Sequence, residues 1–224
     1  METKNIIVFG GGGHGKVIAD IIKKTSNYKF IGFIDNNLKA GTNIDNYKVL
    51  GNRSELKNII KKENIFGGVI GIGNNNLRSY VKNDIADLLK NFNFVNCIHP
   101  SAIYPESVKF GQGNVIMAGS VINSSSVIMN HCIINTNSTI EHDCVINDFS
   151  SIGPAAVVGG NVKICKNANI GIGANIFNNV VVEENCLIGG GSLVNKNTKK
   201  NAVYFGVPAK YIRDHRLSKK DISI

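Results

Sequence analysis

The chain has 224 residues, 43% of them hydrophobic but only 7% aromatic, with no tryptophan and a formal net charge of +9. Abundant Ile and Val with few aromatic rings suit thin repeated layers rather than one large aromatic-filled core. The charge favours anionic ligands, but the lysines are scattered, arginine is scarce and no basic helix is present, which argues against nucleic acid and points to diphosphates on small molecules.

The N-terminus, METKNIIVFG, carries an apolar run too short for a signal segment, and no later stretch approaches 18 uninterrupted apolar residues. A soluble cytoplasmic protein without a membrane partner is expected. Five cysteines (Cys97, Cys132, Cys144, Cys165 and Cys186) form no CxxC pair. An odd number in a reducing compartment implies free thiols.

Residues 1–96 alternate strand and helix signals. Asn5 to Gly10 is an apolar run ending in glycine, and Val17, Ile18, Ile21 and Ile22 follow as a helical face. Lys29 to Asp35 reads as a second strand, and a helix starts after Ser54, the expected N-cap. A third strand spans Gly67 to Gly73, with a helix near Leu77 to Leu89. This βαβαβ order predicts a small parallel sheet, one half of a Rossmann-like α/β domain.

Within it, GGGGHG (Gly10 to Gly15) follows a strand and opens a helix, and Asp35 ends the next strand. The spacing matches the dinucleotide fingerprint G-x-G-x-x-G, although a run of five glycines in six positions matches almost any spacing. The physical inference is narrower: N–H groups at a helix N-terminus cradle phosphate. About 95 residues leave no room for a dehydrogenase's second domain, so a nucleotide sugar fits better than NAD.

From Ile116 to Val194 every sixth residue is Ile or Val, and two residues before each stands a mostly small residue, from Asn114 to Ser192. Residues i and i−2 of a strand face the same way, so this pair describes a short strand and a corner, stacked into a parallel β-helix over residues 97–205. Residues 206–224 form a C-terminal tail. Three cysteines, Cys132, Cys144 and Cys186, occupy the small inward slot as core fillers. In this ladder Glu141, His142 and Asp143 interrupt the apolar pattern between Ile140 and Cys144, which places them at a corner.

The repeats resemble those of hexapeptide-repeat acetyltransferases, in particular the sialic acid O-acetyltransferases and the N-acetyltransferases of UDP-4-amino-4,6-dideoxy sugars on the route to bacillosamine. GGGGHGKV, FIDNN, GIGNN, IHPSA, NTNSTIEHDC, GGNVKI, LIGGGSLV and GVPAKYI carry the resemblance along nearly the whole chain. It implies a left-handed β-helix, a homotrimer with sites between prisms, and acetyl-CoA as cosubstrate without a metal.

The resemblance also implies roles. His142 would be the general base that deprotonates an amine attacking the thioester, Asp143 would fix its tautomer with Glu141 as the substitute, and Gly160 would donate its N–H to the oxyanion. Gly13, His14 and Gly15 would hold the diphosphate of the sugar nucleotide, Asp35 and Asn36 would approach base or ribose, and Gly73 with Asn74 would line the pocket. Asn135, Ser151, Ile172, Gly173, Gly190, Gly191, Pro208 and Lys210 would meet acetyl-CoA, with Lys199 and Lys200 as further partners for its phosphates. Ser151 stands where the family often has a second histidine. Three other readings remain open: O-acetylation of a sialic acid, a non-catalytic nucleotide-binding regulatory module, and NAD binding. The sequence leaves the nucleotide (UDP, GDP or dTDP) undecided.

Overall fold

A computed structural model describes residues 3–215. Among these, residues 3–100 form one compact unit and 101–215 a second. Tail residues 216–224 lie outside the described residues.

The first unit opens with β1 (Lys4–Phe9), α1 (Gly13–Lys23) and β2 (Tyr28–Ile34). β3 (Asn43–Ile44) and β4 (Tyr47–Gly51) follow, then α2 (Leu56–Lys62), β5 (Gly67–Ile70) and α3 (Asn75–Leu88). The sheet runs β3-β4-β2-β1-β5 and is parallel except between β3 and β4. Ile6, Ile7 and Val8 of β1 are all fully buried, as expected of a central strand covered on both faces. Ile7, Phe9 and Ile34 join one core with Leu56, Ile59, Val81 and Ile85 of α2 and α3.

Three expectations need correction here. The β3–β4 hairpin was not anticipated; Asp45, at its turn, sits in the left-handed region at φ 51°, which an Asp tolerates. Second, the buried face of α1 uses Gly15, Ile18, Ala19, Ile21 and Ile22, while Val17 is exposed. Third, the cap before α2 is Asn52, not Ser54. Asn52 Oδ1 accepts from Ser54 N at 2.9 Å, and Glu55 reaches back to Asn52 N at 3.0 Å, a reciprocal capping box ahead of a 3₁₀ turn at Arg53–Glu55.

The second unit is a left-handed parallel β-helix. Partner strands lie 18 residues apart, three hexapeptides to a coil: Val127–Ile128 pairs Val145–Ile146, Ile133–Ile134 pairs Ser151–Ile152, and Thr139–Ile140 pairs Val157–Val158. The aliphatic column from Ile116 to Val194 is at most 3% exposed. Full burial of each such side chain stabilises by about 1.5–3 kcal/mol.

The small column does more than fill space. Ser126 Oγ donates to Glu141 O at 2.8 Å and Ser150 Oγ to Cys165 O at 2.8 Å, tying each corner to a neighbouring coil. The cysteines in this slot do the same: Cys132 reaches Asn147 O and Cys144 reaches Gly159 O, both at 3.1 Å. All five cysteines are free thiols.

Each corner also turns on one residue in the left-handed region, three positions before each inward aliphatic. This series runs Gly113, Gly119, Ser125, His131, Asn137, Asp143, Phe149, Ala155 and on to Gly191. Asn and Gly dominate it because both accept positive φ at low cost. After the last coil, Ala202–Gly206 joins its sheet in parallel and then pairs antiparallel with Ala209–Asp214, so the first part of the expected tail is an ordered hairpin.

Candidate functional site

In the first unit a cavity of about 290 Å³ opens at the C-terminal end of the sheet. It is lined by Gly10, Gly12, Gly13, His14, Asp35, Asn36, Arg53 and Gly73, with Phe9, Ile34, Leu77 and Val81 supplying apolar walls. Ligands of open parallel sheets bind at this end.

The glycines divide by role. Gly10 needs its φ of 105°, a Cβ on Gly11 would strike Ile44 of the hairpin at 2.3 Å, and one on Gly15 would strike Gly10 O at 2.0 Å. Gly12, Gly13 and Gly73 face open space. Gly12 caps α1 without a side-chain bond, so the first-turn N–H groups of that helix are presented to a ligand.

Two sequence expectations change accordingly. Gly15 packs beneath the loop instead of lining the cavity, and Asn74 is the N-cap of α3, its Oδ1 accepting from Leu77 N at 3.0 Å. Asp35 does line the cavity, but its carboxylate already accepts from Gly11, Asn37 and Leu38 N–H groups at 2.8, 2.8 and 3.2 Å. It staples the glycine loop to the turn after β2.

His14 lines the cavity rather than capping the helix. Its Nε2 is buried and makes no hydrogen bond among the described residues. Burial first, and the nearby Arg78 guanidinium second, lower its pKa from 6.5 to about 4, so the ring is neutral at physiological pH. Arg78 is itself buried, donating to Ile72 O and Gly73 O at 3.0 Å and to Asn75 Oδ1 at 2.7 Å. It fixes the Ile72–Gly73 rim.

Sequence reasoning missed Arg53 and Arg78. Arg53 is held by an ion pair to Asp84, and its N–H donates to Asn36 Oδ1 at 3.2 Å. Both arginines look like ordinary surface cations in the sequence, and only the fold turns them inward.

In the β-helix, His142 stands at a corner whose backbone is fixed from both sides. Asp143 N donates to Ser124 O at 3.0 Å, and His142 O accepts from Asn161 N at 2.9 Å. Asp143 is the left-handed residue of this turn, with φ 59°. That conformation folds its carboxylate back on the preceding ring, and His142 Nδ1 meets Asp143 Oδ2 at 2.8 Å. Glu141 turns elsewhere, accepting from Asn123 Nδ2 at 2.9 Å.

Gly160, one coil on, lies under the imidazole: a Cβ there would come within 2.7 Å of Nε2. Its N–H, expected to serve an oxyanion, donates to Asn178 Oδ1 at 3.0 Å in this structure. His142, Asp143 and Gly160 thus come together at one corner.

The residues expected to meet acetyl-CoA gather elsewhere. Ile172, Gly173, Gly190 and Gly191 stack at a different corner of the prism, close in register to Asn135, with Ile172 64% exposed. Pro208 and Lys210 lie on the final hairpin. Ser151 lies on a flat face in the strand Ser151–Ile152 and is buried. Lys200 pairs with Glu184 at 3.5 Å, and the Lys199 ammonium lies over the Tyr211 ring.

Residues 5–85 match the PglD N-terminal domain family. UDP-N-acetylbacillosamine N-acetyltransferase of Bacillus subtilis (strain 168) is 32% identical over 117 residues, 51% of this chain and 52% of that protein, so the match spans about half the length of the curated relative. Among solved structures, a histidine-to-alanine mutant of GDP-perosamine N-acetyl transferase from Caulobacter crescentus, in complex with CoA and GDP-perosamine, superposes with a TM-score of 0.87 at 29% identity, covering 95% of this chain and 99% of that one. The acetyltransferase domain of PglB from Neisseria gonorrhoeae FA1090, in complex with acetyl coenzyme A, gives 0.87 at 30% identity, covering 94% and 100%.

Proposed function

The chain belongs to the hexapeptide-repeat acetyltransferase family of sialic acid O-acetyltransferases and UDP-4-amino-sugar N-acetyltransferases, and from that premise we propose that it moves an acetyl group from acetyl-CoA to the amine of a nucleotide-linked 4-amino-4,6-dideoxy sugar. UDP is the proposed nucleotide. The observation that carries this reading is the His142–Asp143 pair at 2.8 Å, with the ring seated on Gly160.

The chemistry follows from the pair. Asp143 accepts from Nδ1–H and so selects the neutral tautomer whose Nε2 is a proton acceptor. As the sugar amine forms a C–N bond to the thioester carbon, its proton passes to Nε2; collapse of the intermediate breaks the C–S bond, and the departing thiolate takes that proton. The nucleotide is held by its diphosphate at the N-terminus of α1, beside Gly12, Gly13 and His14.

A cytoplasmic homotrimer is part of the proposal. One chain carries the base at one prism corner and the glycines expected to meet CoA at another, which supports a site completed by a neighbouring copy. No helix among the described residues is long and apolar enough to cross a membrane.

The test is purified protein with acetyl-CoA and a panel of UDP-, GDP- and dTDP-linked amino sugars, read by free thiol release and product mass. Acetylation of a nucleotide amino sugar, with His142→Ala reducing turnover about 100-fold or more, is the expected result. Transfer to free sialic acid and to no nucleotide amino sugar overturns the substrate assignment. Unchanged transfer by His142→Ala overturns the base.

A further inference from the structure

The Gly159–Gly160 pair is shaped around two side chains. A Cβ on Gly160 would meet His142 Nε2 at 2.7 Å, and one on Gly159 would meet Asn178 Oδ1 at 2.3 Å. The preceding coil lays an imidazole on one glycine, and the following coil lays a carboxamide on the other. Between them runs the peptide group that joins the two glycines. Its carbonyl, Gly159 O, accepts the Cys144 thiol at 3.1 Å. Its N–H points the opposite way across the planar peptide and donates to Asn178 Oδ1 at 3.0 Å.

We propose that Asn178 is a positioning residue of the acetyl-transfer site, an internal acceptor that holds the Gly160 N–H until the oxyanion of the tetrahedral intermediate replaces it. This rests on the acetyltransferase reading above. A carboxamide oxygen is a better acceptor than a thioester carbonyl oxygen, because nitrogen donates more electron density to its carbonyl than sulfur does. Bound acetyl-CoA therefore leaves the Asn178 bond in place.

Attack changes the balance. As the amine nitrogen bonds to the thioester carbon, the carbonyl π pair moves onto oxygen, and a charged acceptor forms a hydrogen bond roughly twice as strong as a neutral one. Asn178 is exposed, so its side chain is free to give way. Collapse restores the C=O and expels the thiolate, and the carboxamide recovers the N–H. A donor that serves the transition state and not the bound substrate raises kcat without lowering KM.

The experiment compares Asn178→Asp and Asn178→Ala with the wild type, measuring kcat and KM for acetyl-CoA at saturating nucleotide amino sugar, with thermal melting to confirm folding. Asn178→Asp keeps shape and acceptor but adds a charge that grips the N–H and repels the oxyanion; kcat falls about 10- to 100-fold with KM changed less than about twofold. Asn178→Ala releases the N–H to the bound thioester; KM falls by about threefold or more and kcat stays within about threefold. A purely structural role predicts the reverse, with Asn178→Asp like the wild type and the loss in Asn178→Ala. That outcome, or equal losses in both variants, overturns the proposal. A wild type that acetylates no nucleotide amino sugar overturns the reading itself, whereas an active wild type matched by Asn178→Asp overturns this proposal alone.

Discussion

The His142 imidazole rests on Gly160, the residue one full coil beyond it, so closely that a Cβ there would stand 2.7 Å from Nε2 and 2.8 Å from Cε1. Real Cβ atoms do not approach so closely, and the ring, being on an exposed side chain, is the group that moves. Gly160→Ala is therefore expected to swing His142 away from Asp143 and to reduce kcat about 10- to 100-fold. The melting temperature should move little, because the displaced side chain is 61% exposed. Steady-state kinetics beside a thermal melt checks both; a variant with wild-type kcat would show that the ring position is unimportant.

Asp143 has two duties, and substitutions separate them. Its φ of 59° makes it the turn residue of its corner, and its carboxylate orients His142. Asparagine adopts the left-handed region at lower cost than alanine, which holds this turn position only at Ala155 in the series. Asp143→Asn should thus fold with unchanged stability and lose about tenfold in kcat, a modest loss because the exposed pair is screened by water. Asp143→Ala should lose activity and also about 1 kcal/mol of stability. Denaturant titrations of the two variants distinguish orientation from turn geometry.

The β-helix was legible because its rule is local: a strand of two residues repeats its burial every six, so Ile140 and Ile146 announce themselves in the sequence. The turn position was only half legible, since Asn137, Asn161 and Asn167 fit it while Phe149 and His131 do not; these two stack at 5.1 Å between adjacent coils. The pairing of His142 with Asp143 rather than Glu141 depends on that same turn residue. The Gly160–Asn178 bond was invisible because it links side chain to backbone 18 residues away, at a corner where many residue types are tolerated. In the first unit the β3–β4 hairpin escaped notice because its first strand has only two residues, Asn43–Ile44, too few for any alternation to register.

The glycine loop offers a test of which glycines serve the fold and which serve the ligand. A Cβ at position 15 would lie 2.0 Å from Gly10 O, a backbone atom that cannot swing aside. Gly15→Ala is expected to destabilise the unit by about 1–3 kcal/mol. Gly12 faces open space, so Gly12→Ala should melt like the wild type yet raise KM for the nucleotide sugar several-fold by crowding the phosphate site. Melting curves and KM values in which Gly12→Ala and Gly15→Ala exchanged behaviour would reverse the assignment.

His14 makes the stability of the first unit depend on pH. Its pKa is lowered from 6.5 to about 4, mainly by burial and then by Arg78. Between those values the unfolded chain binds a proton that the folded chain does not, so stability rises with pH across this window. The penalty is absent above pH 6.5, grows as pH falls, and levels off below about pH 4, where protonating the buried ring has cost roughly 3 kcal/mol. Every other group is common to wild type and variant, so a difference measurement isolates the histidine. Moving from pH 7.5 to pH 5 should cost the wild type about 2 kcal/mol more than His14→Gln in urea unfolding. Equal pH slopes for the two proteins would mean that water reaches Nε2 and that the ring carries a proton in the folded chain at little cost.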